Sequence, residues 1–231
     1  MNFARILKIS YYLPEKVLTN DELAGLYPEW TADKIFEKTG IRERRVCAEN
    51  ETAGDLAEQA AKKMFAEQGV DQADVDFIIL VTQSPDYFLP TTACMLQHRL
   101  GLSTNVGALD VNLGCSGFVY GLSLAKGLLA SETAQNVLLL TAETYTKHLH
   151  PMDKSVRTIF GDGAAATLIT TSDQDCIGKF VLGTDGSGFD KLIVPAGGCR
   201  LKTSEQTAVE HTDSIGNLRS HDHLFMDGAE I

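Results

Sequence analysis

The sequence predicts an α/β fold, a sheet covered by helices on both faces. Two observations carry this. Strand-length apolar runs alternate with stretches of helical periodicity. Several of the runs, among them Val75–Val81, Val137–Thr141 and Ala164–Thr170, are apolar at successive positions rather than at every second one, as suits strands buried on both faces. Composition supplies a third: of 231 residues, 44% are hydrophobic and 22% charged, enough to bury a sizeable core in one or two domains.

Taken in order, Phe3–Leu13 has β-branched and aromatic character and stops at Pro14, so it is expected as a strand. Thr19-Asn20-Asp21 is a helix start. Thr52-x-x-Asp55 is a capping box, followed at helical spacing by Ala53, Leu56, Ala57, Ala60, Ala61 and Met64, with Gly69 as the cap that ends the helix. Val75–Val81 is a strand, Thr91–Leu100 a helix closed by Gly101, Gly107–Val111 a strand and Ser116–Ala130 a long helix. Val137–Thr141 and Ala164–Thr170 are further strands. The last third is rich in Gly and Asp, with short strands expected near Phe180–Leu182 and Leu192–Val194.

The helix Ser116–Ala130 is apolar on nearly every side, through Phe118, Val119, Tyr120, Leu122, Leu124, Leu128 and Leu129, which predicts burial all round. Gly117, Gly121 and Ala125 form a small-residue stripe that lets another backbone approach. The stripe either packs on the sheet or receives a partner helix. The partner is favoured, because no equally apolar mate occurs in the chain.

Formal net charge is −11, which disfavours nonspecific binding to nucleic acid or to anionic membrane. No apolar stretch is long enough for a membrane span, and Met1 to Pro14 lacks the pattern of a signal peptide. The five cysteines are an odd number without a C-x-x-C pair, as expected of mostly buried thiols in a reducing, cytoplasmic setting. His148 and His150 flank Leu149 without a carboxylate or Cys cluster, so no metal site is expected.

Asp110-Val111-Asn112-Leu113-Gly114-Cys115-Ser116-Gly117-Phe118 is the most informative stretch. Cys115 lies where a buried strand ends and a buried helix begins. Unpaired N–H groups and the positive end of the helix dipole there favour thiolate, which both attacks and leaves thioesters readily. Gly114 and Gly117 permit a sharp turn and close approach of a substrate. On these residues alone, a structural cysteine and a nucleophile are equally good readings.

Together with Thr39-Gly40-Ile41-Arg42-Glu43-Arg44-Arg45 and Ile159-Phe160-Gly161-Asp162-Gly163-Ala164, and with Tyr12-Leu13-Pro14 and Pro90-Thr91-Thr92-Ala93-Cys94 in support, Leu113–Phe118 resembles the β-ketoacyl-[acyl-carrier-protein] synthase III family of the thiolase-like superfamily. The resemblance implies a mixed sheet with a buried central helix, and about the first half of a two-half fold: residues 1–175 as the amino-terminal half, and 176–231 as connecting strands and the start of the second. It implies that Cys115 accepts an acyl group from an acyl thioester for decarboxylative condensation with malonyl-[acyl-carrier protein], giving a 3-oxoacyl-carrier, the opening step of fatty-acid synthesis. The backbone N–H of Cys115 would form half of the oxyanion hole.

The resemblance also implies an acyl-CoA or acyl-carrier-protein donor, no covalently bound cofactor, and a homodimer. Lys34, Lys38, Arg42 and Lys154 fall where the family holds coenzyme A or carrier phosphates, although lysines stack poorly on a purine. Arg44 and Arg45 extend this basic island, whose other reading is a solvated face with ordinary ion pairs. Leu89 matches a position that reaches across the dimer to floor the acyl pocket, and Met226 one that lines the pantetheine tunnel; the plainer readings are interface packing and core filling. Asp162 is read as a turn residue. The family's condensation step uses a His in an H-Q-A-N-like motif and a later Asn. None of the six histidines here lies in such a motif, and Phe225–Ile231 matches the segment preceding the family's second half, so this chain is expected not to condense. The alternatives are a secondary-metabolism ketosynthase or acyltransferase of the same superfamily, and a non-catalytic half-domain that dimerises or docks a separate second half.

Overall fold

The computed structural model describes residues 3–230; Met1, Asn2 and Ile231 lie outside the described residues, and so do the parts of the readings above that fall on them. Its elements are β1 (Phe3–Tyr12), β2 (Lys16–Thr19), α1 (Asn20–Leu26), α2 (Ala32–Thr39), β3 (Glu43–Val46), α3 (Ala53–Gln68), β4 (Phe77–Val81), α4 (Thr92–Arg99), β5 (Gly107–Val111), α5 (Gly117–Ala130), β6 (Asn136–Glu143), α6 (Lys154–Arg157), β7 (Gly163–Ser172), β8 (Leu192–Ile193), β9 (His211–Thr212), β10 (Leu218–Arg219) and β11 (Phe225–Met226). They fall into two units, one of Met1–Glu15, Cys47–Thr144 and Asp162–Leu182, the other of Lys16–Val46, Tyr145–Gly161 and Gly183–Ile231.

The first unit is a five-stranded mixed sheet in the order β1-β7-β6-β4-β5. β4 runs parallel to β5 and β6, while β7 is antiparallel to both β6 and β1. The successive apolar positions of its strands have a direct cause. Side chains alternate across a sheet, so Ile78, Leu80, Leu138 and Leu140 turn to one face and pack with Leu56, Ala57, Ala60, Ala61 and Met64 of α3 and with Leu96 of α4. Ile79, Val81, Val137 and Leu139 turn to the other and pack with Ala125 and Leu129 of α5. Both faces are therefore covered, as the strand pattern predicts.

Local chemistry sets the helix ends where the sequence placed them. Thr52 and Asp55 form the capping box of α3, and Gly69 ends it with φ 66°. Thr19 and Glu22 form a second capping box at α1. Gly101 follows α4 with φ 66°. Phe180–Leu182 is no strand: it has no ladder partner, and Val181 is 97% exposed. Leu192–Ile193 does pair, with Phe225–Met226.

The small-residue stripe of α5 faces the sheet rather than a partner helix. A methyl group on Gly117 would come 2.3 Å from Val81 Cγ1, and one on Gly121 would come 2.6 Å from Leu139 Cδ1. The stripe lets α5 settle directly onto β4 and β6, while Phe118, Val119 and Leu124 on its other side stay exposed, which corrects the expectation of a helix buried all round: only its sheet side, through Gly117, Gly121, Ala125 and Leu129, is buried. Gly121→Ala should therefore destabilise by about 1–3 kcal/mol through overpacking, against the gain of roughly 1 kcal/mol that alanine gives in an open helix. Urea unfolding measures this, and an equally stable variant would remove the packing argument.

The second unit is built of short pieces. β2 and β3 form a hairpin over an apolar cluster of Leu18, Leu23, Tyr27, Ile35 and Val46. The pairs β9–β10 and β8–β11 follow, and Leu149, Val156 and Leu224 form a second small core.

Candidate active site

The parallel pair β4 and β5 ends in register at Val81 and Val111, and the Thr82 N–H to Val111 carbonyl bond, 3.1 Å, extends the ladder one step further. Near the end of β5, Asp110 accepts the N–H groups of Thr92 and Ala93, both at 2.8 Å. It caps α4, whose own N-cap residue Thr91 makes no side-chain cap. Burial raises the Asp110 carboxyl above its ordinary value, against the pull of those N–H groups.

The chain then turns through Asn112–Ser116 into α5. Gly114 and Gly117 are not among the positive-φ glycines; at Gly117 the packed Val81 side chain excludes a methyl group, while Gly114 is approached by the far end of the Gln83 side chain. The Gly117 N–H bonds the Gly114 carbonyl at 2.8 Å. Cys115 stands exposed two residues before the first helical residue, and the N-cap Ser116 makes no side-chain cap. The leading turn of α5 thus keeps N–H groups that no capping side chain has taken, beside the positive end of its dipole. Of the five cysteines only Cys47 is buried; Cys94, Cys176 and Cys199 are exposed as well. This corrects the expectation of mostly buried thiols. Position at the strand–helix junction, rather than exposure, distinguishes Cys115.

A carboxylate that the sequence reading missed lies behind this junction. Glu143 ends β6, where Oε1 accepts the Gln83 N–H at 2.7 Å and Oε2 the Ser84 hydroxyl at 2.5 Å. Burial pushes its carboxyl up to about 7; the bonds from Ser84 and Gln83 oppose the rise, and the Asp162 carboxylate adds to it. The available signal was an acid closing the apolar run Val137–Leu140. Asp162 itself is buried and accepts the Cys47 N–H at 2.8 Å, more than a simple turn residue does.

In the second unit three of the expected binding lysines come together. Lys34 Nζ and Lys38 Nζ stand 5.5 and 5.6 Å from the centre of the Trp30 ring, and Trp30 packs on the core under α1 and α2. Lys34 also donates to the Glu29 carbonyl at 3.0 Å. Lys154 pairs with the Glu29 carboxylate at 2.8 Å and donates to the Ile215 carbonyl at 2.8 Å. That hydrogen bond from Lys154 holds the Glu29 carboxyl below its ordinary value. Arg42 lies over the Phe36 ring, 4.2 Å from its centre.

Arg44 does not belong to this basic island. It is buried, and its guanidinium donates to the Thr158 carbonyl, 3.0 Å from Nε, and to Asn20 Oδ1. Burial and the nearby Arg157 lower its pKa. It ties β3 to α6 within the unit and has no surface to offer a phosphate. Arg44→Ala leaves buried acceptors without donors, so it should cost about 2–4 kcal/mol, read as a lower midpoint in thermal melting; an unchanged midpoint would return Arg44 to the surface island. Leu89 is 82% exposed beside Phe88, at 86%, in the loop before α4. Met226 is half-buried on β11, against Leu149, Val156 and Leu224.

A profile of the family 3-oxoacyl-[acyl-carrier-protein (ACP)] synthase III matches residues 109–186, the segment that holds Cys115. A β-ketoacyl-[acyl-carrier-protein] synthase III of Caldanaerobacter subterraneus subsp. tengcongensis is 37% identical over 231 residues, 99% of this chain and 66% of the relative. The crystal structure of a 3-oxoacyl-(acyl-carrier-protein) synthase III superposes with a TM-score of 0.97 at 61% identity, covering 99% of this chain and 68% of that one. The 3-oxoacyl-(acyl-carrier protein) synthase of Burkholderia xenovorans gives a TM-score of 0.86 at 35% identity, over 99% of this chain and 64% of that one. The chain thus spans just under two thirds of the length of the curated relatives it matches. The mixed sheet covered on both faces, the cysteine at its strand–helix junction and these likenesses agree: the chain belongs to the 3-oxoacyl-[acyl-carrier-protein] synthase III family.

Proposed function

We propose that this chain carries the acyl-accepting site of a 3-oxoacyl-[acyl-carrier-protein] synthase. The observation that carries the reading is the exposed Cys115 at the uncapped start of α5. Its sulfur attacks the carbonyl carbon of an acyl thioester. The C–S bond to the donor breaks, the donor thiolate takes up the proton that Cys115 gave, and the acyl group stays on Cys115. The Cys115 N–H stabilises the oxyanion formed on the way. In the condensation that follows, malonyl-[acyl-carrier protein] loses carbon dioxide, the resulting carbanion attacks the Cys115 thioester, and the thiolate leaves.

The donor is an acyl-CoA or an acyl-carrier protein, held by Lys34, Lys38, Arg42 and Lys154, with Met226 beside the pantetheine arm and Leu89 as the floor of a partner's acyl pocket in a cytoplasmic homodimer. The clustering of the three lysines around Trp30 and Glu29 supports the first part, and the exposed Phe88-Leu89 pair supports the second. Incubation with acetyl-CoA should leave an acetyl adduct on Cys115, visible in the mass of its peptide; an unmodified Cys115 under conditions that acetylate an authentic synthase would overturn the reading. Lys34→Glu with Lys38→Glu should weaken coenzyme A binding about tenfold and flatten its salt dependence, by titration calorimetry.

A further inference from the structure

Glu143 has no part in the chemistry above, yet it is tied to the junction that holds Cys115. It closes β6 opposite Gly163 of β7. Its two carboxylate oxygens accept from adjacent residues of the turn that follows β4, the Gln83 amide and the Ser84 hydroxyl. The Ser84 hydroxyl in turn accepts the Thr144 N–H at 3.3 Å, so the turn is bound to the end of β6 from two sides. The Gln83 side chain leaves this turn and lies against Gly114, so close that a methyl group there would come 2.5 Å from Gln83 Oε1. Gly114 immediately precedes Cys115, and its carbonyl takes the first N–H of α5.

We propose that Glu143 is a positioning residue: by gripping the Gln83–Ser84 turn it fixes the Gln83 side chain against Gly114 and so sets the backbone on which Cys115 is presented. The proposal rests on the reading of Cys115 as the acyl acceptor, because only a reacting atom needs such placement. Ionised, the carboxylate accepts both hydrogen bonds in charge-assisted form; protonated, it holds the turn less firmly. The charged group that faces it is Asp162, ahead of β7, and Gln83 and Ser84 face it from the β4 side as neutral donors. Burial places its titration at about 7, within the range in which thiol chemistry is measured.

The test is the rate at which iodoacetamide alkylates Cys115 in the full chain, followed by peptide mass between about pH 6 and about pH 8, for wild type, Glu143→Gln and Gln83→Ala. Glutamine is neutral, as protonated Glu143 is, so the wild-type to Glu143→Gln rate ratio should be near one at the acid end. It should rise about tenfold at the alkaline end, with a midpoint near the Glu143 titration at about 7. Ionisation of the thiol itself largely cancels in that ratio. Gln83 is exposed, so Gln83→Ala folds even where Glu143→Gln does not, and it should lose the same step. A ratio that does not change with pH, or a Gln83→Ala protein with wild-type rates throughout, would overturn the proposal. Acetyl transfer from acetyl-CoA is measured alongside: a wild type that takes no acetyl group sinks the functional reading and the proposal with it, whereas one that takes the acetyl group but shows no pH-dependent ratio sinks the positioning role alone.

Discussion

Cys115→Ala should form no acyl-enzyme, and acyl transfer should fall by at least about a thousandfold, to the background of thioester hydrolysis. The expectation follows from where the sulfur stands. The helix that begins just after it has no side-chain cap, so its leading N–H groups and dipole act on whatever charge develops at residue 115. Nothing comparable surrounds the other exposed thiols. Cys94 lies in the first turn of α4, but there the Asp110 carboxylate has taken the N–H groups of Thr92 and Ala93, and Cys176 follows β7, 3.9 Å from the Ser172 hydroxyl. Cys115→Ser keeps the shape but substitutes a far weaker acid, and should retain only a small residue of the rate. The measurement is radiolabelled or mass-resolved acyl transfer from an acyl-CoA. An adduct of undiminished yield in Cys115→Ala, carried by Cys94, Cys176 or Cys199, would remove the assignment.

The second large effect concerns stability. Glu143 titrates at about 7 in the folded chain against an ordinary value of 4.5. A carboxyl whose pKa is raised by folding binds its proton more tightly in the native state. Its contribution is fully present below the unfolded value and is lost as pH rises through the folded one. A shift of this size is worth about 3 kcal/mol, so unfolding free energy should decline by about that much between about pH 4 and about pH 8 on account of this one group. Glu143→Gln, neutral throughout, should flatten the decline, and chemical denaturation across that range reads the difference. A variant with the slope of wild type would place the titration elsewhere. Together with the alkylation test this describes one carboxylate under opposed demands, because the ionised form that grips the Gln83 turn best is also the form that burial tolerates least.

Much of the first unit was legible in the sequence because its signals are local or periodic. Capping boxes at Thr19 and Thr52, and glycines at 69 and 101, mark helix ends by chemistry that needs no tertiary contact. The apolar strands announce a sheet covered twice. What escaped depends on neighbours distant in sequence. Glu43–Val46 contains three charged residues in four and gives no strand signal, yet it pairs with Lys16–Thr19 and sends Arg44 inward to Thr158 and Asn20. Arg44 thus reads as surface charge until the carbonyl it meets is known. Phe180–Leu182 shows the converse, an apolar triplet with nothing to pair with. The glycine stripe on α5 was legible as a close-packing device, but the stripe alone does not say which backbone comes close; Val81 and Leu139 do. Cys115 was found from its place between strand and helix. Glu143 was not, because one acid after a run of leucines is unremarkable until Gln83 and Ser84 arrive from another strand.

The pairing of β1 with β7 joins Phe3–Tyr12 to Ala164–Ser172. On a ribosome, β1 is therefore orphaned until its hydrogen-bonding mate has left the exit tunnel. At synthesis rates of about 5–20 residues per second, that delay is on the order of ten to thirty seconds. Ile9 and Tyr11 remain uncovered in the finished strand, so β1 must stay clear of other chains throughout this wait, and its synthesis well ahead of β7 makes it a natural client for whatever shields emerging polypeptides.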